Sequence, residues 1–255
     1  MADILSDTVE ALQLIVTGDP EILGIVSRSL LFSGTAVILA ILWGTPLAML
    51  ISMKEFRGKT LIKTFLNTLI GLPTVVLGLI LFLIFSKGGP LGFLGLLYTP
   101  AVIMFGQAVL VTPILVSIGV SAIESVDPEI MSLSQTLGAS KSQAQIAVLK
   151  EAASGIILSD IASFNRAIGE LGVVLLVGGN IAGTGIRTDV LTTAISRNVQ
   201  IGETGLAIAL GILLVLILFT IDIIVVVFRK ANYIVELAKG PYVKLKRSRE
   251  NKRWR

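Results

Sequence analysis

Cysteine and histidine are both absent from the 255 residues of this chain. Together these absences exclude disulfides, thiolate chemistry, imidazole bases and the usual zinc ligands. Any metal would need oxygen ligands, and we expect no metal site. Charged residues are also scarce, at 15% of the chain, whereas 54% are hydrophobic. The mean hydropathy of +0.89 is far above that of an average soluble domain, so the chain is predicted to lie in a bilayer.

Five stretches are long and apolar enough to cross a membrane as helices. They are Ser27–Met53, Leu66–Ser86, Pro100–Ile123, Gly155–Val177 and Gly205–Phe228. The prediction is therefore an all-α integral membrane protein with about five transmembrane helices. Before them, Ile4, Leu5, Leu12 and Ile15 share one helical face with acidic residues opposite. Residues 1–18 are thus predicted to form an amphipathic helix on the membrane surface.

Lysine and arginine are distributed unequally between the ends of these spans. Sixteen of the 21 follow the first span, lie between the third and fourth, or follow the fifth. The positive-inside rule places these regions in the cytoplasm, with the N-terminus outside and the C-terminus inside. We predict an external helix over 1–18, a transmembrane domain over 19–230 and a basic cytoplasmic tail over 231–255. The clustered positive charge indicates a contact with membrane lipids and no nucleic-acid partner.

The fourth span carries Asp160, Asn165, Arg166 and Glu170 at membrane depth. A charge at the centre of a membrane helix costs about 2.5–3.5 kcal/mol, so such groups face a bundle interior or an aqueous path. Arg166 and Glu170 are four residues apart and can form an ion pair on one face. Two interpretations stay open. Either the pair joins this span to another helix, or Arg166 sets a positive potential along a solute path while Glu170 holds its orientation.

Three spans also contain helix-breaking residues, which neighbouring helices must compensate. These are Gly44-Thr45-Pro46, Gly71-Leu72-Pro73 and Thr112-Pro113. Each stretch can be a kink that only shapes helix packing, but three such stretches together favour a helical bundle with an enclosed interior.

An external loop rich in glycine, hydroxyls and amides follows the fourth span. Its backbone N–H groups, its threonines and Arg187 are the donors that an oxyanion would use. The segment from Val190 to Ile195 is apolar again, which favours a re-entrant or gate-forming element.

A polar cassette, Asp127 to Glu151, separates the third and fourth spans. Asp127 and Pro128 are a helix cap and a first helical residue. Gly138 supplies a left-handed helix stop, and Ser140 with Gln143 forms a capping box that starts a second helix. A connector with two capped helices indicates a surface that contacts another molecule.

These residues carry a family resemblance. Leu137-Gly138-Ala139-Ser140, followed by Gln143 and Val148, resembles the coupling-helix motif of ABC importer permeases of the type I fold. Further stretches are similar to the tungstate permease branch. Those around Gly179-Asn180 and Thr192–Ile195 are the most particular to it, and molybdate, sulfate and phosphate permeases share the rest more loosely. The full set of stretches is Gly71–Leu79, Gly89–Gly92, Thr99-Pro100, Gln107, Arg166–Gly172, Gly178–Ile181 and Leu191–Ile195. One departure is Ser132-Leu133-Ser134, where the general motif has Glu-Ala-Ala.

The resemblance implies an oxyanion import subunit, for tungstate or molybdate, in the cytoplasmic membrane. Its partners would be a second permease chain in a homodimer, two cytoplasmic ABC ATPases and an external oxyanion-binding protein. The chain has no G-x-x-x-x-G-K-[ST] phosphate loop, so it is expected to be no enzyme and to bind no cofactor, with ATP and Mg²⁺ on the ATPase. The implied ATPase contacts are Pro128, Glu129, Ser132, Leu133, Leu137, Gly138, Ala139 and Ser140. The implied path or gate residues are Arg166, Glu170, Asn180, Arg187, Thr192 and Thr193.

Other functions stay open at this point. A sulfate or phosphate permease fits the looser motifs. A secondary carrier would use Asp160, Arg166 and Glu170 for ion coupling, but it leaves the capped cassette without a purpose. An intramembrane enzyme is the weakest alternative, because Asp160 and Glu170 lie about 15 Å apart along one helix.

Overall fold

The computed structural model describes residues 4–181 and 185–227, and these residues are mostly helical, with the longest connection between Phe85 and Pro100. The all-α prediction is confirmed. The helices are α1 (Ile4–Thr17), α2 (Pro20–Met53), α3 (Lys59–Ile70), α4 (Thr74–Phe85), α5 (Pro100–Glu124), α6 (Glu129–Thr136), α7 (Lys141–Glu151), α8 (Ala153–Ile168), α9 (Gly172–Gly178), α10 (Leu191–Ile201) and α11 (Thr204–Val227). A short 3₁₀ helix, Gly92–Leu94, precedes α5.

Three helices, α2, α5 and α11, are long and apolar enough to cross a bilayer. Two further spans are broken: α3 and α4 meet at 97°, and α8 and α9 meet at 57°. The predicted number of spans is thus matched when each bent pair counts as one. The second span was predicted over Leu66–Ser86 and the fourth over Gly155–Val177, and the structure divides each of them into two helices. Span two begins at Lys59 rather than Leu66 and bends at Gly71–Pro73, because Pro73 has no N–H to donate and Gly71 ends α3.

The other two prolines at membrane depth do not break their helices. Pro46 lies inside α2 and Pro113 inside α5. Between them, the Thr112 hydroxyl accepts a hydrogen bond from Trp43 Nε1 at 2.8 Å and donates to the Ala108 carbonyl at 2.7 Å. This side-chain bond joins α2 to α5 beside both prolines, in the way that neighbouring helices support interrupted membrane helices.

Two apolar clusters form the core. In the first, α2, α5 and α8 bring small side chains together, among them Ala36, Ala40 and Ala167, against Val116 and Val120 of α5. Small residues let membrane helices approach closely, and dispersion contacts then hold them. The second cluster joins α4, α5 and α9 through Leu77, Leu81, Val102, Val173 and Val177.

We call the end of the bundle that holds Ser140 the cassette end, and the end that holds Asp189 the loop end. At the loop end, Asp19 caps α2 by accepting the N–H groups of Glu21 and Ile22 at 2.8 and 3.2 Å. The chain divides into two units, Met1–Leu214 and Val215–Arg255. Of the second unit, the structure describes residues 215–227, which are helical, and the predicted basic tail lies outside the described residues.

The N-terminal helix α1 matches the helix predicted for residues 1–18. Its Asp7 carboxylate accepts a hydrogen bond from the Thr204 hydroxyl at the start of α11. Val9, Leu12 and Val16 are exposed at 54%, 51% and 85%. Asp7 of α1 therefore contacts protein, while three apolar side chains of the same helix stay exposed.

Candidate functional site

The break in span four collects polar groups from three helices. Gln107 of α5 donates from Nε2 to the Ala167 carbonyl at 3.0 Å, and Thr192 of α10 donates from its hydroxyl to the Glu170 carbonyl at 2.7 Å. Carbonyl groups at a helix end lack a full set of helical donors and need other partners. Both side chains therefore stabilise the break from outside the span.

Arg166 and Glu170 form the ion pair that their spacing predicts. Arg166 Nη1 lies 2.6 Å from Glu170 Oε2, and Glu170 Oε1 accepts the Val173 N–H at 3.0 Å. Glu170 thus caps the N-terminus of α9, where a negative charge is favourable. The Glu170 side chain is 2% exposed, whereas that of Arg166 is 34% exposed. The Glu170 carboxylate is therefore buried in the bundle, whereas the Arg166 guanidinium reaches the surface of this chain.

A second charged cluster lies at the loop end. The Asp189 side chain is 2% exposed and pairs with Arg28 at 2.7 Å and Arg187 at 3.3 Å. Arg187 also lies 3.7 Å from a Glu21 carboxylate oxygen. Beside this cluster, the Leu191 N–H donates to the Ser29 hydroxyl at 2.8 Å. The loop is thereby tied to α2, and the Arg187 charge is already neutralised, so an oxyanion would compete with two carboxylates for it.

Asn180 and Thr193 meet at the start of α10. Asn180 Nδ2 donates to the Thr193 carbonyl at 3.2 Å, and the buried Thr193 hydroxyl accepts the Val190 N–H at 3.0 Å. Asn180 has a φ of +48°, in the left-handed region that asparagine tolerates. Both side chains support the turn into α10, which is an 11-residue helix and too short to cross a bilayer.

Of the six predicted path residues, the structure brings three into direct contact: Arg166, Glu170 and Thr192. Asn180 and Thr193 lie at the start of α10, where Thr192 also lies. Arg187 belongs to the separate cluster around Asp189. Five of the six residues therefore lie at the break of span four or at the start of α10, and Arg187 lies apart from them.

The cassette folds as its sequence indicates, with one shift. Helix α6 begins at Glu129 rather than Pro128, and Asp127 Oδ1 accepts the Glu129 N–H at 2.9 Å. Gly138 has a φ of +90°, and Ser140 and Gln143 form the capping box of α7. Most of the residues predicted to contact an ATPase lie on the surface of the cassette. Pro128, Glu129, Ser132, Leu133, Leu137, Gly138 and Ser140 are exposed, and Ala139 is half-buried.

Two leucines of the cassette are largely exposed. Leu133 is 61% and Leu137 is 81% exposed, and α6 has no buried residue. Ile130 and Met131 of the same helix pack against the core, whereas Leu133 and Leu137 form an exposed apolar surface. Such an arrangement is typical of a site that a partner covers.

Comparison with known proteins gives a consistent result. The sequence profile described as "Binding-protein-dependent transport system inner membrane component" matches residues 35–232. The chain belongs to this family. It is 36% identical over 215 residues to the tungstate uptake system permease protein TupB of Peptoclostridium acidaminophilum, covering 84% of this chain and 93% of that protein. It is 37% identical over 200 residues to a probable anion ABC transporter permease protein of Haloferax volcanii, covering 77% and 86%.

Among solved structures, the family fold is seen in the MetNI methionine ABC transporter in its inward-facing conformations. The TM-score is 0.65 at 15% sequence identity, and the match covers 82% of this chain and 95% of that chain. At this identity the likeness concerns the fold alone. The predicted resemblance to importer permeases, and to the tungstate branch among them, is confirmed.

Several polar residues were missed at the sequence level. Arg28, Ser29 and Asp189 were given no role, although Asp189 is the acidic neighbour of Arg187 and charged residues at a span end are a usable signal. Gln107 was noted only as part of a motif. A lone amide in an apolar span signals a buried hydrogen bond, but no pattern in one sequence tells which backbone group receives it.

Proposed function

We propose that this chain is the permease subunit of an ATP-binding-cassette importer that moves an oxyanion, tungstate or molybdate, across the cytoplasmic membrane. The observation that carries the proposal is the match to a tungstate permease over 84% of this chain. The Arg166–Glu170 pair at the break of span four supports it, because charged side chains at membrane depth mark the path of a polar solute.

In this proposal the ATPases bind the cassette. Leu133 and Leu137 enter a groove on the ATPase, and the Gly138 stop with the Ser140 capping box holds α6 at a fixed angle to α7. ATP and Mg²⁺ are held by the ATPase, since this sequence has no phosphate loop. Two ATPases act on two permease chains, and their approach on ATP binding draws the two α6 helices together.

The exposed side of Arg166 supports a homodimer. Its side chain is 34% exposed at membrane depth, and a lipid-facing charge costs about 2.5–3.5 kcal/mol. A second copy of the chain turns this surface into the wall of a shared aqueous path. Glu170 and Thr192 then line or support the same wall, and Asn180, Thr193 and Arg187 hold the loop end above it.

Orientation follows from charge. The cassette end carries the lysines near Glu124 as well as Lys141 and Lys150, so it faces the cytoplasm, with the N-terminus outside. The loop end then faces an external oxyanion-binding protein. No nucleic acid takes part, and membrane lipids surround the apolar outer faces.

Uptake in reconstituted vesicles tests the proposal. The chain and its ATPase are reconstituted in liposomes, with ATP on the side of the ATPase and the external receptor on the opposite side. Transport of tungstate, molybdate, sulfate and phosphate is then compared. Tungstate or molybdate uptake that needs ATP and stops with vanadate supports the proposal. Preference for sulfate or phosphate changes the substrate, and uptake abolished by an ionophore with ATP intact favours a secondary carrier.

The docking surface has its own test. Leu137→Asp places a charge at the exposed apolar centre and is expected to abolish co-purification of the ATPase. Ile146→Asp, at a residue of α7 that is 50% exposed, serves as the matched control. Normal ATPase binding by Leu137→Asp would show that α6 is not the contact.

A further inference from the structure

Two neutral side chains, Gln107 and Thr192, hold the break of span four from different helices. Gln107 is 2% exposed, and its Nε2 donates to the Ala167 carbonyl. Thr192, on α10, donates to the Glu170 carbonyl. One acceptor, the Ala167 carbonyl, belongs to the last turn of α8, and the other, the Glu170 carbonyl, belongs to the three residues that separate α8 from α9. Burying a polar side chain in a membrane bundle costs free energy unless the side chain is hydrogen-bonded. We call these two hydrogen bonds, from Gln107 and from Thr192, the clamp.

The clamp fixes Glu170 by its backbone, and Glu170 in turn fixes Arg166. The Glu170 carboxylate is shared between Arg166 Nη1 at 2.6 Å and the Val173 N–H at 3.0 Å. A movement of the Glu170 main chain therefore moves the guanidinium partner and the cap of α9 together. Thr192 is the group through which α10 reaches that main chain.

The other end of the connection is at the loop end. Leu191, next to Thr192, donates its N–H to the Ser29 hydroxyl of α2 at 2.8 Å, and Asp189 pairs with Arg28 at 2.7 Å. The start of α10 is thus held by α2 on one side and by the break of span four on the other. A displacement of the loop is passed to the break over two residues of α10.

We propose that Gln107 and Thr192 are positioning residues for the Arg166–Glu170 pair, and that Thr192 transmits displacement of α10 to Arg166. Only the place of Arg166 on a transport path rests on the proposed function; the positioning rests on the four hydrogen bonds. Losing one such bond costs about 0.5–1.5 kcal/mol net. This changes the equilibrium between a displaced and a hydrogen-bonded Glu170 main chain by about 2- to 12-fold.

The test uses the absence of native cysteine. L171C places a single thiol at the break, where Leu171 is 37% exposed, and N-ethylmaleimide reports its accessibility in the full membrane-embedded chain. Thr192→Val removes the hydroxyl at equal volume and is expected to raise the modification rate about 3- to 10-fold. Thr192→Ser keeps the hydroxyl and should restore the rate. Gln107→Leu should shift it in the same direction as Thr192→Val.

Thr68→Val is the matched control, because the Thr68 hydroxyl donates only within its own helix, to the Thr64 carbonyl at 3.0 Å. An unchanged rate in Thr192→Val, a failure of Thr192→Ser to restore it, or an equal change in Thr68→Val overturns the proposal. Tungstate uptake is measured in the same variants. Shifted thiol rates together with no uptake by the unsubstituted protein would refute the proposed substrate and still support the positioning role.

Discussion

Replacing Glu170 by alanine tests how strongly the break of span four depends on one buried carboxylate. The chain offers a matched pair for this experiment, since Arg166–Glu170 and Glu55–Lys59 are both ion pairs between residues four apart on the chain. The Glu170 side chain is 2% exposed, whereas that of Glu55 is 89% exposed. The two variants remove the same group from an ion pair and differ in burial; in addition, Lys59 keeps Glu124 as a second partner at 3.3 Å when Glu55 is removed.

The expected magnitudes differ accordingly. Removing one partner of a buried pair costs about 3–5 kcal/mol, because the other charge is left without compensation. Arg166 is one-third exposed, which brings the value to the lower end, but Val173 also loses the acceptor for its N–H at 3.0 Å. We expect Glu170→Ala to lose about 3 kcal/mol of stability. Glu55→Ala should lose about 0–0.5 kcal/mol, as exposed pairs do.

The measurement is reversible unfolding of the purified full chain in mixed micelles, followed by helical circular dichroism as the fraction of denaturing detergent is raised. Glu170→Gln is a third variant, which keeps a neutral acceptor for Val173 and should fall between the other two. Equal losses for Glu170→Ala and Glu55→Ala would refute the reasoning, because burial would then have no effect on the cost of removing the carboxylate.

Three further predictions concern other parts of the chain. Asp189→Ala leaves Arg28 and Arg187 without their shared carboxylate, so it should cost about 3–5 kcal/mol in the same unfolding assay; a loss like that of Glu55→Ala would contradict this. Gly138→Val forces a β-branched residue to φ +90° and should cut ATP-driven uptake while leaving membrane insertion intact, whereas Gly34→Ala, which has open space around its Cβ, should be neutral. A cysteine at Ile186 should react with an impermeant reagent added outside intact cells and one at Ser142 should not; the reverse pattern would invert the topology.

Sequence patterns predicted the local features well. The capping box at Ser140, the Gly138 stop and the Arg166–Glu170 pair all follow from spacing alone, because each depends on residues within four positions of one another. For the same reason the helix over residues 1–18 was predictable from its two faces. Its contact with Thr204 was not, since hydropathy does not identify a partner so distant in the chain.

The proline-containing spans show where such prediction stops. Pro46, Pro73 and Pro113 look alike in sequence, yet only Pro73 accompanies a break. The difference lies in neighbours: the bond from Trp43 to Thr112 braces α2 and α5, while Pro73 follows Gly71 and Leu72 and has no such support among the described contacts. Span four breaks with no proline at all, because Glu170 and two clamp residues satisfy the groups that the bend exposes.

The two broken spans meet near their breaks, which connects the fold to the proposed transport cycle. A Cβ at Gly172 would lie 2.6 Å from the Thr74 hydroxyl, and one at Gly78 would lie 3.1 Å from the Gly172 carbonyl, so glycine alone permits this contact. At 1.5 Å per residue, α4 and α9 are about 18 and 11 Å long, and neither crosses a bilayer of about 30 Å by itself. Two short helices in such close contact move together more readily than either moves alone, because separating them loses the dispersion contacts that their glycines permit. Since Glu170 caps α9 and holds Arg166, any tilt of this joined pair also changes the position of the cation.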